Sequence, residues 1–455
     1  MIAPARQVAF RILRQITTTD AHSDDLLRAP EVDALSAQDR ALTTTLVLGT
    51  LRWQLALDEQ IRPLLARPGA QLKPEVATAL RMGAYQLQHL DRVPPHAVLH
   101  DSVELVKQGR ERSAAGMVNA VLRKIAASGR VAAPAQLATA QEIAAAFAHP
   151  AWMVERWAAR YGIPAAEAIC RWDQEPAGVT LRLDASADAE PEMHLEPGAF
   201  LTNARRVLDG DPSRSETAGA GRARIQDEAS QLVAELAAAA TPAARNVLDT
   251  CAAPGGKTAI LTDRLPQAHI TAVDASRERL AAMRKRFEPP GSRKADSAPV
   301  PERLRWQVAD AARLQLQHEH DLILCDVPCS GTGTMARNPE IRMRVTAFDL
   351  QRQQERQAAI LGAALAGLAP GGVLVYSTCS LEPEENETVI ETVINNDEGF
   401  ALQPVRPLLD QLTERDVVTA GGRELLDSAV KGLFLRTIPG IHPCDGFFAA
   451  IIARV

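Results

Sequence analysis

Two stretches place a thiol beside small and acidic residues in a spacing suited to covalent chemistry. Asp321–Gly333 reads DLILCDVPCSGTG and Val373–Glu387 reads VLVYSTCSLEPEENE. In each, a buried-strand run of apolar residues ends in a polar cluster with a cysteine, Cys329 in the first and Cys379 in the second. A single cysteine is usually a small buried hydrophobe. Two of them at the ends of neighbouring strands, beside a ligand loop, read better as reagents.

The ligand loop is Asn246–Lys257, NVLDTCAAPGGK: a buried strand ending at Asp249, a turn of small residues, and a helix starting near Lys257. This geometry lets backbone N–H groups approach a ligand at a helix N-terminus. Phosphate readings fail on spacing. A Walker A loop needs glycine where Cys251 stands, and a dinucleotide fingerprint needs three spaced glycines where only Gly255 and Gly256 occur. The next strand, ITAVD, ends in Asp274, where an acid accepts hydrogen bonds from ribose hydroxyls, and Asp310 follows the third strand within reach of an adenine. A ribose acid without a diphosphate loop points to a nucleoside cofactor, S-adenosylmethionine.

Methyl transfer needs thiols when the acceptor is a poor nucleophile, as C5 of a pyrimidine is. A thiolate added to C6 turns C5 into an enamine-like carbon that attacks the methyl sulfonium. A carboxyl group at N3 stabilises the charge that develops, and a base then removes the C5 proton. Cys379, Asp326 and Cys329 can supply nucleophile, acid and base.

The elements that must position these groups are legible in outline. Residues 245–455 alternate strand and helix signals, with strands at Asn246–Asp249, Ile270–Asp274, Leu304–Ala309, Leu322–Asp326 and Val373–Ser377. A parallel sheet with helices on both faces is expected, closed by two antiparallel-looking pieces, Leu433–Ile438 and Phe447–Ala453. Glu288–Glu302 reads as a surface insertion. Residues 1 to about 130 read as helices throughout: Ala5–Ile16, Asp39–Leu57, Pro74–Leu90, His96–Lys107 and Ala114–Ala127. A mixed stretch follows, with a helix at Trp152–Tyr161, a strand at Val179–Leu183 and a Gly/Ser/Arg-rich loop at Gly210–Arg222. The expected organisation is an all-α domain over 1–140, a small α+β connector over 141–235, and an α/β Rossmann-like methyltransferase domain over 236–455.

Composition agrees with a globular multidomain chain. With 455 residues, 46% hydrophobic and 23% charged, neither wholesale disorder nor a membrane protein is favoured. The six cysteines lack paired C-x-x-C spacing, so structural zinc and a disulfide framework are not expected, and no metal site is assigned. Arg6, Arg11 and Arg14 interrupt any apolar leader segment, so a cytoplasmic location is expected. The net charge of −6 argues against nucleic acid until it is divided: residues 1–130 hold 17 Lys/Arg against 13 Asp/Glu, leaving 33 against 43 for the rest. The basic excess lies in the helical region.

These residues resemble the RNA 5-methylcytosine methyltransferases, specifically the RsmB/Sun/Fmu-type branch that acts on small-subunit (16S) ribosomal RNA. Cys251-Ala252-Ala253-Pro254-Gly255-Gly256-Lys257, Asp326-Val327-Pro328-Cys329, Thr378-Cys379-Ser380 and Glu382-Pro383-Glu384-Glu385-Asn386-Glu387 stand in family order and spacing, as do Pro439-Gly440 and Asp445-Gly446-Phe447-Phe448. The resemblance implies a class I S-adenosylmethionine-dependent fold, Cys379 as nucleophile, Cys329 in product release, Asp326 at the cytosine ring, and cofactor contacts from 251–257, Asp274, Asp310 and Asp326. It also implies a NusB-like RNA-binding domain at the N-terminus. Asp184, Val327 and Met335-Ala336-Arg337 stand where the family often has Asn, Ala and a basic run. Arg205, Arg206, Arg214, Arg222 and Arg224 are candidates to line the RNA path. Protein partners are unknown. A transfer RNA methyltransferase and a non-catalytic RNA-binding assembly factor are the alternatives; the presence of both thiols argues against the second.

Overall fold

The computed structural model describes residues 2–69, 71–129, 137–183, 193–212, 215, 217, 222–287, 303–395 and 397–455. Asp184, Arg214 and the 288–302 insertion lie outside the described residues. The chain forms two compact units, Met1–Ala177 with Met335–Arg344, and Gly178–Thr334 with Val345–Val455. No helix among the described residues is long and apolar enough to cross a membrane.

The first unit is helical. Proline in the first turn opens Pro4–Thr18, Pro74–His89 and Pro95–Gln108, where its missing N–H costs nothing and its fixed φ suits the helix. Ser36 caps Ala37–Arg52 by accepting from the Asp39 amide. The apolar faces meet in a core whose fully buried members include Ile12, Leu46, Leu80, Met82, Leu105 and Leu122. The helix expected over Asp39–Leu57 is two helices, Ala37–Arg52 and Gln54–Ile61, broken at Trp53. Trp53 leaves helical geometry at ψ 4°, and its indole stacks on His89 with centroids 4.5 Å apart.

Ten residues from late in the chain complete this unit. The Arg342 guanidinium, fully buried, donates to the carbonyls of Arg52 at 2.8 Å and of Ala148 and Asp173 at 3.4 Å each. Burial pulls its pKa down to about 10. Glu340 accepts from the Ser23 amide and hydroxyl, both at 2.9 Å, and Arg52 donates to the Ala336 carbonyl at 2.8 Å. This segment was expected inside the methyltransferase domain, but its buried polar groups find their partners on helices of the first unit. The expected connector also divides: helices Ala140–Ala146, Ala151–Tyr161 and Ile163–Gln174 lie in the first unit, and its strands in the second.

Those strands, β1 (Val179–Leu183), β2 (His194–Pro197), β3 (Ala204–Asp209) and β4 (Ala223–Ile225), form an antiparallel sheet in the order β2-β3-β1-β4 over a small core of Leu181, Leu183, Met193 and Ala223. The main sheet contains β5 (Asn246–Asp249), β6 (His269–Asp274), β7 (Leu304–Val308), β8 (His320–Asp326), β9 (Leu368–Thr378), β10 (Phe400–Gln403), β11 (Val430–Lys431), β12 (Phe434–Thr437) and β13 (Phe447–Arg454). Its order is β11-β12-β13-β9-β8-β5-β6-β7, with β10 also paired to β13. β5 to β9 are parallel, as expected; β10 to β13 make the sheet mixed. In β8 five of seven residues are buried, the near-continuous apolar run of a strand covered on both faces. Strand order reverses between β5 and β8, and ligands of open α/β sheets bind at such a switch, outside the carboxyl ends of the strands.

Candidate active site at the carboxyl edge of the sheet

Every residue singled out for chemistry lies at or just beyond that edge. After β5 the chain passes Thr250, whose amide donates to the Leu324 carbonyl, and reaches Ala252, whose amide donates 2.8 Å to the Val273 carbonyl. The turn is thereby sewn to β8 and β6. From Ala252 to Gly256 nothing larger than a methyl group or a proline ring projects, and the Ala253–Pro254 bond is cis. Gly255, at φ 103°, precedes helix Gly256–Arg264. A β-carbon there meets Met283 Cγ at 2.8 Å, so both conformation and space call for glycine.

Asp274 is buried, and its two oxygens accept from the Ala253 amide at 3.2 Å and the Ser276 amide at 2.8 Å. A carboxylate has about four acceptor positions, so this pinning leaves capacity for hydroxyls. Asp310 is about half exposed and caps the short turn Ala311–Arg313 by accepting from the Ala312 amide at 3.1 Å. Asp249 is fully buried, accepts from the Thr258 hydroxyl at 2.6 Å, and is pushed up to about 7, chiefly by burial. Small residues over a helix N-terminus with an acid after β6 match the donor and acceptor set of a nucleoside carrying a carboxylate.

Asp326 ends β8. Lys257 donates to its Oδ2 and the Ser377 hydroxyl to its Oδ1, both at 2.7 Å. The Lys257 ammonium also lies 5.0 Å from the centre of the Phe447 ring. Three residues on, Cys329 stands with its sulfur 3.3 Å from that of Cys379, just past the end of β9. Their turns are joined further by the Gly333 amide, which donates 2.9 Å to the Cys379 carbonyl. The Cys329 thiol is raised well above its ordinary range, first by its hydrogen bond with Cys379 and then by burial. Cys251 and Cys325 have a different character. Burial is the main cause that raises both, Cys325 to about 12, and Thr250 Oγ1 lies 3.8 Å and 3.5 Å from their sulfurs.

Cys329 with Cys379, Lys257 with Asp326, and Asp274 with the Ala253 amide are thus brought into contact, but several partners carried no assigned role: Ser377, Phe447, Gln357, Glu385 and Asn386. The acidic run Glu382–Glu387 was the available signal for Glu385 and Asn386. Of the arginines expected along the RNA path, Arg206 pairs with Glu196 and Arg224 with Asp263 at 3.6 Å, while Arg222 is exposed. A cavity of about 220 Å³ at the opposite edge of the sheet, lined by Asn246, His269, Arg305 and His320 among others, contains none of the residues assigned to catalysis or to the cofactor.

A Rossmann-like fold with paired thiols just past β8 and β9, beside its switch point, in a chain that opens with an all-α unit, is the arrangement of a methyltransferase with a NusB-type head. Residues 238–453 match the family described as 16S rRNA methyltransferase RsmB/F, and residues 3–127 match the NusB family. The chain belongs to the RsmB/F family of 16S rRNA methyltransferases. It is 30% identical to a probable ribosomal RNA small subunit methyltransferase B of Bacillus subtilis, over 97% of each chain. It is 32% identical to the ribosomal RNA small subunit methyltransferase B of Xanthomonas campestris, over 99% of this chain and 97% of that one. A solved methyltransferase homologue from Pyrococcus horikoshii has the same fold, with TM-score 0.53 and 22% identity over 70% of this chain and 100% of that one.

Proposed function

We propose that the chain transfers a methyl group from S-adenosylmethionine to C5 of a cytosine in small-subunit ribosomal RNA, through a covalent bond between Cys379 and C6. The observation that carries this reading is the 3.3 Å separation of the Cys329 and Cys379 sulfurs beside the acid Asp326. C5 and C6 are bonded neighbours, so their two reactions need two reagents that reach the same edge of one ring.

Ala252–Lys257, Asp274 and Asp310 are assigned to the cofactor, with Cys251 at the start of the loop. When bound, S-adenosylmethionine supplies an electrophilic methyl group on a sulfonium. Cys379, its proton passed to solvent, adds to C6 as the thiolate and the C5–C6 π electrons become available at C5, while Asp326 contacts the ring. Paired with Lys257 and Ser377, Asp326 is an acceptor suited to the exocyclic amino group; to give N3 a proton it must first acquire one.

Cys329 keeps its proton in the resting site, with Cys379 as its hydrogen-bond partner. Once the Cys379 sulfur is bonded to carbon it no longer shares a proton with Cys329. Cys329, its proton passed to solvent, then takes the proton on C5 as the thiolate; the C5–H electrons re-form the C5–C6 double bond and Cys379 leaves C6 as a thiolate. The cytosine must leave its stack to reach both sulfurs, which favours single-stranded or partly unfolded RNA. The NusB-like unit, with its basic excess, would hold RNA backbone, and a cytoplasmic location follows from such a substrate.

The test is a denaturing gel with labelled small-subunit ribosomal RNA. Cys379→Ala abolishes the covalent adduct and Cys329→Ala lets it accumulate; the reverse pattern exchanges the roles. Methylation profiling of a deletion strain that lost a mark in transfer RNA, with ribosomal RNA intact, would overturn the substrate.

A further inference from the structure

One buried carboxylate connects the two thiol-bearing turns. Glu385 Oε1 accepts from the Ser330 amide at 2.7 Å and from the Gln357 side-chain amide at 3.1 Å. Its Oε2 accepts from the Ser380 hydroxyl at 2.5 Å and from the Ser330 hydroxyl. Ser330 follows Cys329 and Ser380 follows Cys379, so the same side chain grips the residue after each thiol. The two serine hydroxyls lie 3.2 Å apart.

Glu385 is itself held on three sides. Tyr376 Oη donates 2.7 Å to its carbonyl. Its neighbour Asn386 accepts from the Thr378 hydroxyl at 2.5 Å and donates to the Ser380 carbonyl at 2.9 Å. Gln357 bridges the carboxylate to the Pro328 carbonyl at 2.9 Å. The Glu385 side chain is fully enclosed, which is costly for a carboxylate unless its acceptor sites are filled. They are filled by donors from both thiol turns and from Gln357, and among the described residues no other side-chain atom accepts from both Ser330 and Ser380.

We propose that Glu385 is a positioning residue that sets the spacing of the Cys329 and Cys379 sulfurs, and so the rate at which adduct formation and release follow one another. It does not touch the ring; it acts through the two serines. The inference rests on the thiol chemistry proposed above, yet the spacing can be read without RNA. Phenylarsine oxide condenses with two neighbouring thiols to form two As–S bonds and one water, with no change of oxidation state. Bridged Cys329 and Cys379 peptides are then identified by mass spectrometry after proteolysis of the full chain.

In Glu385→Gln, arsenic bridging slows at least about tenfold. In the methylation assay kcat falls on the order of 100-fold, the scale expected of a misplacement near 1 Å. KM for the RNA and affinity for S-adenosylmethionine stay within about threefold. Ser330→Ala and Ser380→Ala, each lacking one hydroxyl, show smaller losses in the same two readouts and serve if Glu385→Gln does not fold. Wild-type bridging and kcat in Glu385→Gln, or in both serine variants, overturn the proposal. So does a loss of kcat matched by equal losses of cofactor affinity, which marks a merely structural role. Glu385-dependent bridging in a chain that methylates no cytosine sustains the spacing role and rejects the proposed function instead.

Discussion

Asp249 shows how a single residue sets a pH dependence. Its folded pKa of about 7 lies well above the ordinary 3.8, chiefly because burial penalises the ionised form. The folded state therefore holds its proton more tightly than the unfolded chain. Between those two values the unfolded chain releases the proton first, so stability falls as pH rises through this window and levels off above it. Asp249→Asn keeps an acceptor for the Thr258 hydroxyl and removes the titration. Its stability relative to wild type rises between pH 4.5 and 8, by on the order of a few kcal/mol, as urea denaturation at the two pH values would record; parallel curves would refute the assignment. Among the site residues, those at strand ends were legible because each closes an apolar run: Asp249, Asp274, Asp326 and Cys379. Glu385 was not, since its partners sit 55 and 5 residues away, and only folding places Ser330 beside Ser380.

The strand, turn and helix from Asn246 to Arg264 form the element on which cofactor binding depends. Gly255→Ala puts a β-carbon against Met283 and forces φ 103° on a residue that resists it. We expect a loss of about 1–3 kcal/mol of stability and at least tenfold weaker binding of S-adenosylmethionine by calorimetry; unchanged affinity would show that the turn adapts. Of the parallel strands, β5, β6, β8 and β9 were readable from apolar runs closed by Asp or Ser. β10 and β11 were not, being four and two residues long and only partly buried. Their pairing with β13 and β12 is decided by tertiary contacts rather than by local pattern. The break at Trp53 was hidden for the same reason: apolar spacing continues across it, and only the stacking on His89 marks the bend.

For the molecule as a whole, the sequence separates a basic helical region from an acidic sheet region, but it gives no sign that Met335–Arg344 belongs with the first. An arginine in a polar stretch reads as a solvated charge, whereas Arg342 is buried and serves three carbonyls from three places in the chain. Arg342→Met leaves those carbonyls without their donor and costs about 2–5 kcal/mol. Hydrogen exchange should show the loss in Ala37–Arg52 and Ile163–Gln174, with the strands of the sheet unaffected; uniform loss across both units would refute a local role.

The order of synthesis gives this arrangement a further consequence. A ribosome releases the helices of the first unit early, but the residue that closes the carbonyls of Arg52, Ala148 and Asp173 is number 342 of 455. Until then the nascent helical unit lacks its last segment. The sheet strands β1 to β8 emerge during that interval, so the head becomes complete only after the strand bearing Asp326 and the turn bearing Cys329 have been made.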